Sequence, residues 1–245
     1  MDYAKDGWTV SAQAWLRDIG SDGDFLRQYV MDPAIADRLA GRRFQAALDV
    51  GCGEGRFCRK LAQQYGIPTV TGIDPTPPLL EAARARDPNG TYLQARAESL
   101  PFDDESFDLV VSYLTFIDIE GIEAAISEMA RVTRPGGTIL IVNLNGFTTA
   151  NGGKGWTRSE TGERLYYALD TYLSEHADLQ TWRDMQMINY HRPMSRYFSL
   201  LLGAGLQLVH FDEPDTVGGP QDRRDAYRRV PYAHLMEWQK PLDEG

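Results

Sequence analysis

The sequence predicts an α/β protein built on a mostly parallel sheet. The first observation is an apolar run of strand length at residues 46–50, which leads through three glycines into a segment of helical spacing. The second is that such runs alternate with helical patterns up to residue 143. This alternation is typical of parallel strands joined by helices, and 245 residues suit one domain of that class.

The same patterns predict the individual elements. Helical spacing covers residues 8–40, 56–65 and 197–204, and the aromatic-rich region 166–182 also reads as helical. Short apolar runs bounded by turn residues predict seven strands, at 46–50, 69–73, 91–94, 107–112, 138–142, 206–213 and 229–238.

Composition and charge limit the classes of partner. The formal net charge is −10, whereas a nucleic-acid-binding domain is normally basic. The basic cluster at residues 223–229 is interleaved with acids and reads as a solvated helical face. Cys52 and Cys58 are the only cysteines, and we expect free thiols in a reducing compartment. Without a signal-like start or a membrane-spanning run, we expect a cytoplasmic protein that binds neither nucleic acid nor membrane.

The glycine-rich turn indicates a ligand site. Gly51, Gly53 and Gly55 let the backbone turn tightly and approach a ligand, and the following helix offers unpaired N–H groups. Asp74 ends the next apolar run, where a carboxylate can accept hydrogen bonds from both hydroxyls of a ribose. Because Arg56 stands where a dinucleotide fingerprint has its last glycine, the loop is not shaped for a pyrophosphate. These residues predict a nucleoside site.

Five motifs in register resemble the class I S-adenosylmethionine-dependent methyltransferases, in particular the small-molecule group related to the ubiquinone-pathway enzymes. They are LDVGCGEG at 48–55, GIDP at 72–75, AESLPF at 97–102, FDLV at 107–110 and RVTRPGG at 131–137. The resemblance implies a Rossmann-like class I methyltransferase fold, with a mostly parallel seven-stranded sheet flanked by helices and an antiparallel last strand. It also implies an N-terminal helical lid and an insertion after the fifth strand.

The resemblance further implies the cofactor, S-adenosyl-L-methionine, with S-adenosyl-L-homocysteine as the product. Many relatives carry an aspartate for the adenine amino group where this chain has Arg96, which has no acceptor, so Glu98 is expected to take over that contact. The implied cofactor-binding residues are Asp49, Gly51, Cys52, Gly53, Asp74, Pro75, Thr76, Ala97, Glu98, Ser112 and Tyr113.

We read the chain as a single methyltransferase domain, residues 1–245, in four segments. These are a helical lid (1–40), the cofactor-binding core (41–143), a substrate-cap insertion (144–190) and the C-terminal part of the core (191–245). Aromatic residues of the lid and the insertion are candidates for the acceptor pocket, although they must also pack these segments onto the body. The candidates are Trp15, Trp156, Tyr166 and Tyr190.

Methyl transfer requires positioning and, for an acceptor that carries a proton, a general base. His191, in the irregular segment before Pro193, is one candidate, and its alternative duty is a hydrogen bond that orients the loop. Asp118, in the loop after the fourth strand, is a second catalytic candidate because ligands sit outside the ends of such strands, and its alternative is a charge at the start of the next helix. No cysteine, histidine or aspartate spacing suggests a metal site. The resemblance implies a small-molecule acceptor, and an oxygen or nitrogen nucleophile is favoured.

Two other functions stay open. A nicotinamide-dependent oxidoreductase would use a similar sheet, but Arg56 and the turn at 135–137 count against it. A non-catalytic protein that binds S-adenosylmethionine or its product would need the same loop. Neither the identity of the acceptor nor the oligomeric state follows from the sequence.

Overall fold

The computed structural model describes residues 3–151 and 154–242, with a seven-stranded sheet at the centre. The described residues form eleven strands, β1 (Ala46–Val50), β2 (Thr69–Asp74), β3 (Thr91–Gln94), β4 (Phe107–Tyr113), β5 (Thr133–Leu144), β6 (Trp156–Arg158), β7 (Arg164–Tyr167), β8 (His176–Trp182), β9 (Met185–His191), β10 (Gln207–Asp212) and β11 (Ala233–Gln239). The order across the sheet is β10-β11-β5-β4-β1-β2-β3.

The pairing of the strands confirms the predicted fold class. Strands β1 to β5 pair in parallel, and β11 is antiparallel to both of its neighbours. Strands β1 and β4 are buried along almost their whole length, as parallel strands covered on both faces must be.

Helices cover both faces of the sheet. They are α1 (Tyr3–Ile19), α2 (Asp32–Leu39), α3 (Arg56–Gln63), α4 (Pro77–Arg86), α5 (Ile122–Val132), α6 (Gly146–Thr149), α7 (Met194–Gly203) and α8 (Gln221–Arg229). One apolar cluster packs α5 and α7 against the sheet, and a second packs α2 and α3 against it. Within the described ranges, none of the helices combines the length and the apolar character that a membrane crossing needs.

Two parts of the chain outside the sheet pack on each other, namely residues 3–39, here called the N-terminal segment, and the cap hairpin, strands β8 and β9. The Ser11 hydroxyl accepts a hydrogen bond from the Gln186 N–H and donates to the Gln186 carbonyl, both at 2.9 Å. A side chain at Gly7 would lie 2.9 Å from the same carbonyl oxygen, so glycine permits the close approach. The two parts therefore form one surface over the sheet.

The helical prediction for the aromatic region is wrong, because residues 156–191 form two hairpins, β6–β7 and β8–β9. Only Arg183 and Asp184 separate the paired residues Trp182 and Met185. Arg183 has a φ of +51°. Neither residue is glycine, so the usual sequence signal of a tight hairpin turn is missing.

Two strand boundaries also differ from the prediction. The last strand begins at Ala233 rather than at residue 229, because α8 continues to Arg229 and Pro231 follows it. The fifth strand extends to both sides of the predicted 138–142 and pairs with Phe107 through Thr133.

Candidate active site

A cavity opens at the carboxyl ends of β1, β2 and β4. Strand β1 pairs with β2 on one side and with β4 on the other, so the strand order reverses at this point. Open α/β sheets bind ligands in this crevice. The N-terminal segment and the cap hairpin line the opposite wall.

The glycine loop forms the floor of the cavity. Gly51 has a φ of +78°, and a side chain there would overlap that of Thr115. Gly55 has a φ of +75°, and a Cβ there would lie 2.7 Å from the ring of Tyr92. The N–H of Gly51 donates to the carbonyl of Ile73 at 2.9 Å, which fixes the loop against β2. Glycine is thus required at two of the three predicted positions by backbone angle and by space.

Asp74 presents its carboxylate to the floor of the cavity. Its Oδ2 accepts the Gly53 N–H at 2.9 Å and its Oδ1 accepts the Thr76 N–H at 2.8 Å. Burial raises the pKa of Asp74, while these two N–H groups oppose the rise. Each oxygen retains further acceptor capacity, so the oriented carboxylate can also accept hydrogen bonds from a ligand.

Asp49, at the end of β1, has a carboxyl oxygen without a partner. Its Oδ2 accepts the Cys58 thiol at 3.4 Å, but Oδ1 is buried and unpaired among the described residues. Burial raises the pKa of Asp49 to about 7. An unpaired buried carboxylate is costly, and a cationic group of a ligand would relieve that cost.

Glu98, the predicted acceptor for the adenine amino group, is held in place by two neighbouring groups. Arg96 donates from Nη2 to Glu98 Oε1 at 2.8 Å, and the Gly121 N–H approaches the same atom at 3.4 Å. Both charged residues line the cavity together with Ala97. Arg96 therefore orients Glu98, which remains the acceptor on this wall.

Asp118 lies at the end of a 3₁₀ turn, Phe116–Asp118, that follows β4. Asn189 of the cap hairpin donates from Nδ2 to Asp118 Oδ1 at 2.7 Å. Burial raises the pKa of Asp118 to about 8, against hydrogen bonds from the Trp8 indole and from Asn189. Helix α5 begins only at Ile122, so Asp118 faces the cavity rather than capping that helix.

Apolar side chains surround Asp118 at this end of the cavity. Trp8 and Trp15 of α1 meet edge to face, with ring centroids 5.4 Å apart. Met187, Ile188 and Tyr190 of β9 line the facing side. This end can therefore hold an apolar or aromatic molecule with one polar atom directed at Asp118.

Arg27 brings a cation to the cavity that sequence reasoning missed. Its guanidinium lies 5.1 Å from the ring centroid of Trp15 and 5.7 Å from that of Tyr113. Its Nη1 donates to Asp24 at 2.9 Å. Arg27 opens a π-helical turn, Arg27–Met31, and the helical stripe of this region carries no sign of such a turn.

Ten of the eleven predicted cofactor residues line this one cavity. They are Asp49, Gly51, Cys52, Gly53, Asp74, Pro75, Thr76, Ala97, Glu98 and Tyr113. Ser112 does not, because it is fully buried in β4 between β1 and β5. Successive side chains of a strand point to opposite faces, so Tyr113 and Ser112 could not both reach the cavity from β4.

The substrate candidates divide in the same way. Trp15 and Tyr190 line the cavity, whereas Trp156 and Tyr166 do not. Trp156 donates its indole N–H to the Tyr232 hydroxyl at 2.7 Å and so anchors the β6–β7 hairpin to the body. Tyr166 is largely exposed on that hairpin. The prediction for these two residues is corrected, because their hairpin lies away from the cavity.

The structure does not bring His191, one of the two catalytic candidates, to the cavity. His191 is buried at the end of β9 and is absent from the cavity wall. Its Nε2 donates to the Tyr172 carbonyl at 2.8 Å, and its Nδ1 lies 2.6 Å from the Thr149 hydroxyl. Burial lowers the pKa of His191, so the ring is neutral with both nitrogens engaged. In the described part of the chain, no cluster of three or more potential ligands could hold a metal ion.

Comparison with known proteins agrees with this geometry. A family described as "Methyltransferase domain" matches residues 48–141. Malonyl-[acyl-carrier protein] O-methyltransferase from Salmonella typhimurium is 31% identical over 193 residues, which are 77% of this chain and 74% of that protein. This chain is an S-adenosylmethionine-dependent methyltransferase.

Other relatives of this methyltransferase support the assignment. Demethylmenaquinone methyltransferase from Roseiflexus castenholzii is 39% identical over 100 residues, 40% of this chain and 42% of that one. The crystal structure of an S-adenosylmethionine-dependent methyltransferase from Mesorhizobium loti superimposes with a TM-score of 0.77, at 25% identity over 90% of this chain and 100% of that one. The cofactor is therefore S-adenosylmethionine, which removes the nicotinamide alternative.

Proposed function

We propose that this methyltransferase acts on a small apolar or aromatic acceptor through an oxygen or nitrogen nucleophile that carries a proton. The observation that supports this most directly is Asp118, a carboxyl group held by Asn189 and surrounded by apolar side chains at one end of the cavity. A relative whose name specifies O-methylation is consistent with an oxygen acceptor. An acceptor tethered to a carrier protein, as that relative's name describes, is a further candidate.

The remaining cavity residues fit the groups of S-adenosylmethionine. Asp74 would accept hydrogen bonds from the ribose hydroxyls, and Glu98 from the adenine amino group. The unpaired oxygen of Asp49 suits the ammonium group, and the guanidinium of Arg27 suits the carboxylate of the same amino-acid part. The Gly51 loop would permit close approach of the backbone.

When bound, the cofactor supplies an electrophilic methyl group on a positively charged sulfur. The chain's own task is to exclude water, to hold the acceptor in line and to receive its proton. Asp118 can receive the proton once it is ionised, and a pKa of about 8 makes its carboxylate basic enough to assist near neutral pH. Trp8, Trp15 and Tyr190 would enclose the acceptor.

The decisive experiment is the pH dependence of methyl transfer by wild type and Asp118→Asn. We expect wild-type kcat/KM to rise as Asp118 loses its proton and to level off above pH about 8. The variant should lose roughly 100-fold in kcat while its cofactor affinity stays within about twofold. Acceptors are first found by a screen of labelled-methyl incorporation into phenols, alcohols and amines.

The matched control is Asp178→Asn on β8, because Asp178 lies on the cap hairpin but outside the cavity. It should keep the wild-type pH–rate profile.

The folded-state pKa of Asp118 is raised, so the folded protein binds more protons than the unfolded chain between pH about 4 and about 8. The stability contributed by Asp118 therefore falls with rising pH in that window, and Asp118→Asn should remove this contribution while that of Asp49 remains. Full activity with an unchanged pH profile in Asp118→Asn would contradict the proposal.

A further inference from the structure

A buried ion pair lies behind the wall of the cavity. Arg56, the residue that interrupts the dinucleotide fingerprint, donates from Nη1 and Nη2 to the two carboxylate oxygens of Asp32 at 2.7 and 3.0 Å. Their side chains are 7% and 13% exposed, so solvent screens the pair little. Two parallel N–H···O bonds fix orientation as well as distance.

Further groups converge on the same carboxylate. The Tyr113 hydroxyl donates to Asp32 Oδ1 at 2.8 Å, and Lys60 Nζ lies 3.2 Å from Oδ2. Burial alone would raise the pKa of Asp32, but the hydrogen bonds from Arg56 hold it below its ordinary value. Asp32 is therefore an ionised acceptor shared by α3 and the end of β4.

The position of Arg56 is unfavourable for the helix that it begins. It is the first residue of α3, and Gly55 is the N-cap. The start of a helix carries a partial positive charge, so a cation there is disfavoured. Asp32, which comes from the N-terminal segment, supplies the compensating negative charge. An apolar contact could fill the same space, and buried ion pairs often contribute little to net stability. Stability alone therefore does not account for this ion pair.

The backbone of Asp32 is bonded to that of Arg27, the residue that brings a cation to the cavity. Its N–H donates to the carbonyl of Arg27, across the π-helical turn that separates the two residues. The guanidinium groups of Arg27 and Arg56 also lie 5.7 and 5.4 Å from the centroid of the same Tyr113 ring. Asp32 is therefore connected to Arg27 through the backbone of this turn and through the Tyr113 ring, while Asp24 bonds the guanidinium itself.

We propose that Arg56 and Asp32 are positioning residues that hold Arg27 at the amino-acid end of the cofactor site. The inference rests on the proposed function, in which Arg27 receives the carboxylate of the cofactor. It assigns the ion pair a role in ligand recognition beyond folding. Affinity for ligands that carry the amino-acid part should depend on the pair, whereas affinity for the nucleoside part should not.

The test compares two ligands by calorimetry, S-adenosylhomocysteine and 5′-methylthioadenosine, which lacks the amino-acid part. We expect Asp32→Asn and Arg56→Gln each to weaken S-adenosylhomocysteine by at least about tenfold. Binding of 5′-methylthioadenosine should change less than about twofold in both. If these variants do not fold, Tyr113→Phe removes only the hydroxyl and should shift the ratio of the two affinities in the same direction.

Glu237→Gln is the matched control. Glu237 is buried and pairs with Arg38 of α2 and with Arg42, so it joins the same N-terminal segment to β11 outside the cavity. This change should lower the melting temperature but leave the affinity ratio unchanged. Equal weakening of both ligands by Asp32→Asn, or an unchanged ratio, would overturn the inference. Failure of the wild type to prefer S-adenosylhomocysteine would instead contradict the role proposed for Arg27.

Discussion

At the scale of the residue, burial and ion pairing decide which acids in and behind the cavity wall carry a proton. Asp49 and Asp118 have pKa values raised to about 7 and about 8, whereas the hydrogen bonds of Arg56 keep Asp32 ionised. Burial removes water from the carboxyl groups of Asp49 and Asp118. Neither group has a cation at hydrogen-bond distance among the described residues to replace that water. A cationic ligand would stabilise the ionised form of both.

For His191, the other catalytic candidate, we expect an effect on stability and none on the pH dependence of catalysis. His191→Gln should lower the melting temperature by about 4–8 °C, because it disturbs hydrogen bonds to Tyr172 and Thr149 that contribute about 1 kcal/mol each. The shape of the pH–rate profile should not change. His210→Gln on the outer strand β10 serves as the control and should alter neither quantity. A selective loss of kcat that recovers at high pH would return His191 to the list of bases.

At the scale of the element, two glycines of the loop are expected to have different roles, Gly51 in folding and Gly53 in cofactor binding. Gly51→Ala should destabilise the protein even without ligand, because the new methyl group overlaps Thr115. Gly53 also has a positive φ, but a Cβ there meets no protein atom within 4 Å. Gly53→Ala should therefore cost only about 1 kcal/mol of backbone strain, but it should weaken binding of the cofactor. Thermal melts of both proteins, each with and without S-adenosylhomocysteine, test this; equal melting temperatures without ligand would contradict it.

The elements also show how far sequence reasoning reaches. The strands of the sheet and the glycine loop could be predicted because buried parallel strands leave continuous apolar runs and because tight turns require glycine. The two hairpins could not, since the turn at Arg183 lacks glycine and the aromatic residues near it also fit a helical spacing. The sequence predicts Asp118 in the loop after the fourth strand, but its partner Asn189 is 71 residues away along the chain. Contacts of that kind depend on the fold of the cap hairpin and leave no local pattern.

At the scale of the whole molecule, the cavity joins parts of the chain that are distant in sequence. A ligand that binds only the folded state increases the free energy of unfolding, by about 2.7 kcal/mol at a hundredfold excess over Kd, and so raises the melting temperature. For a protein of this length that corresponds to an increase of roughly 5–11 °C. We expect this shift with S-adenosylmethionine and with S-adenosylhomocysteine, measured by differential scanning calorimetry. NAD at the same concentration is the control, and a shift with NAD alone would contradict the site described here.

The division of the cavity between two walls has a consequence for how this enzyme can diverge. The glycine loop, Asp74 and Glu98 come from the sheet side, whereas Trp8, Trp15 and the residues of β9 come from segments outside the sheet. Substitutions at well-separated sites usually act independently. If the roles proposed above hold, descendants of this gene acquire new acceptors by drift in α1 and the cap hairpin, while purifying selection keeps the sheet side unchanged. Two contacts would couple such changes: Asp118 with Asn189 across the two walls, and Arg27 with Trp15 of α1.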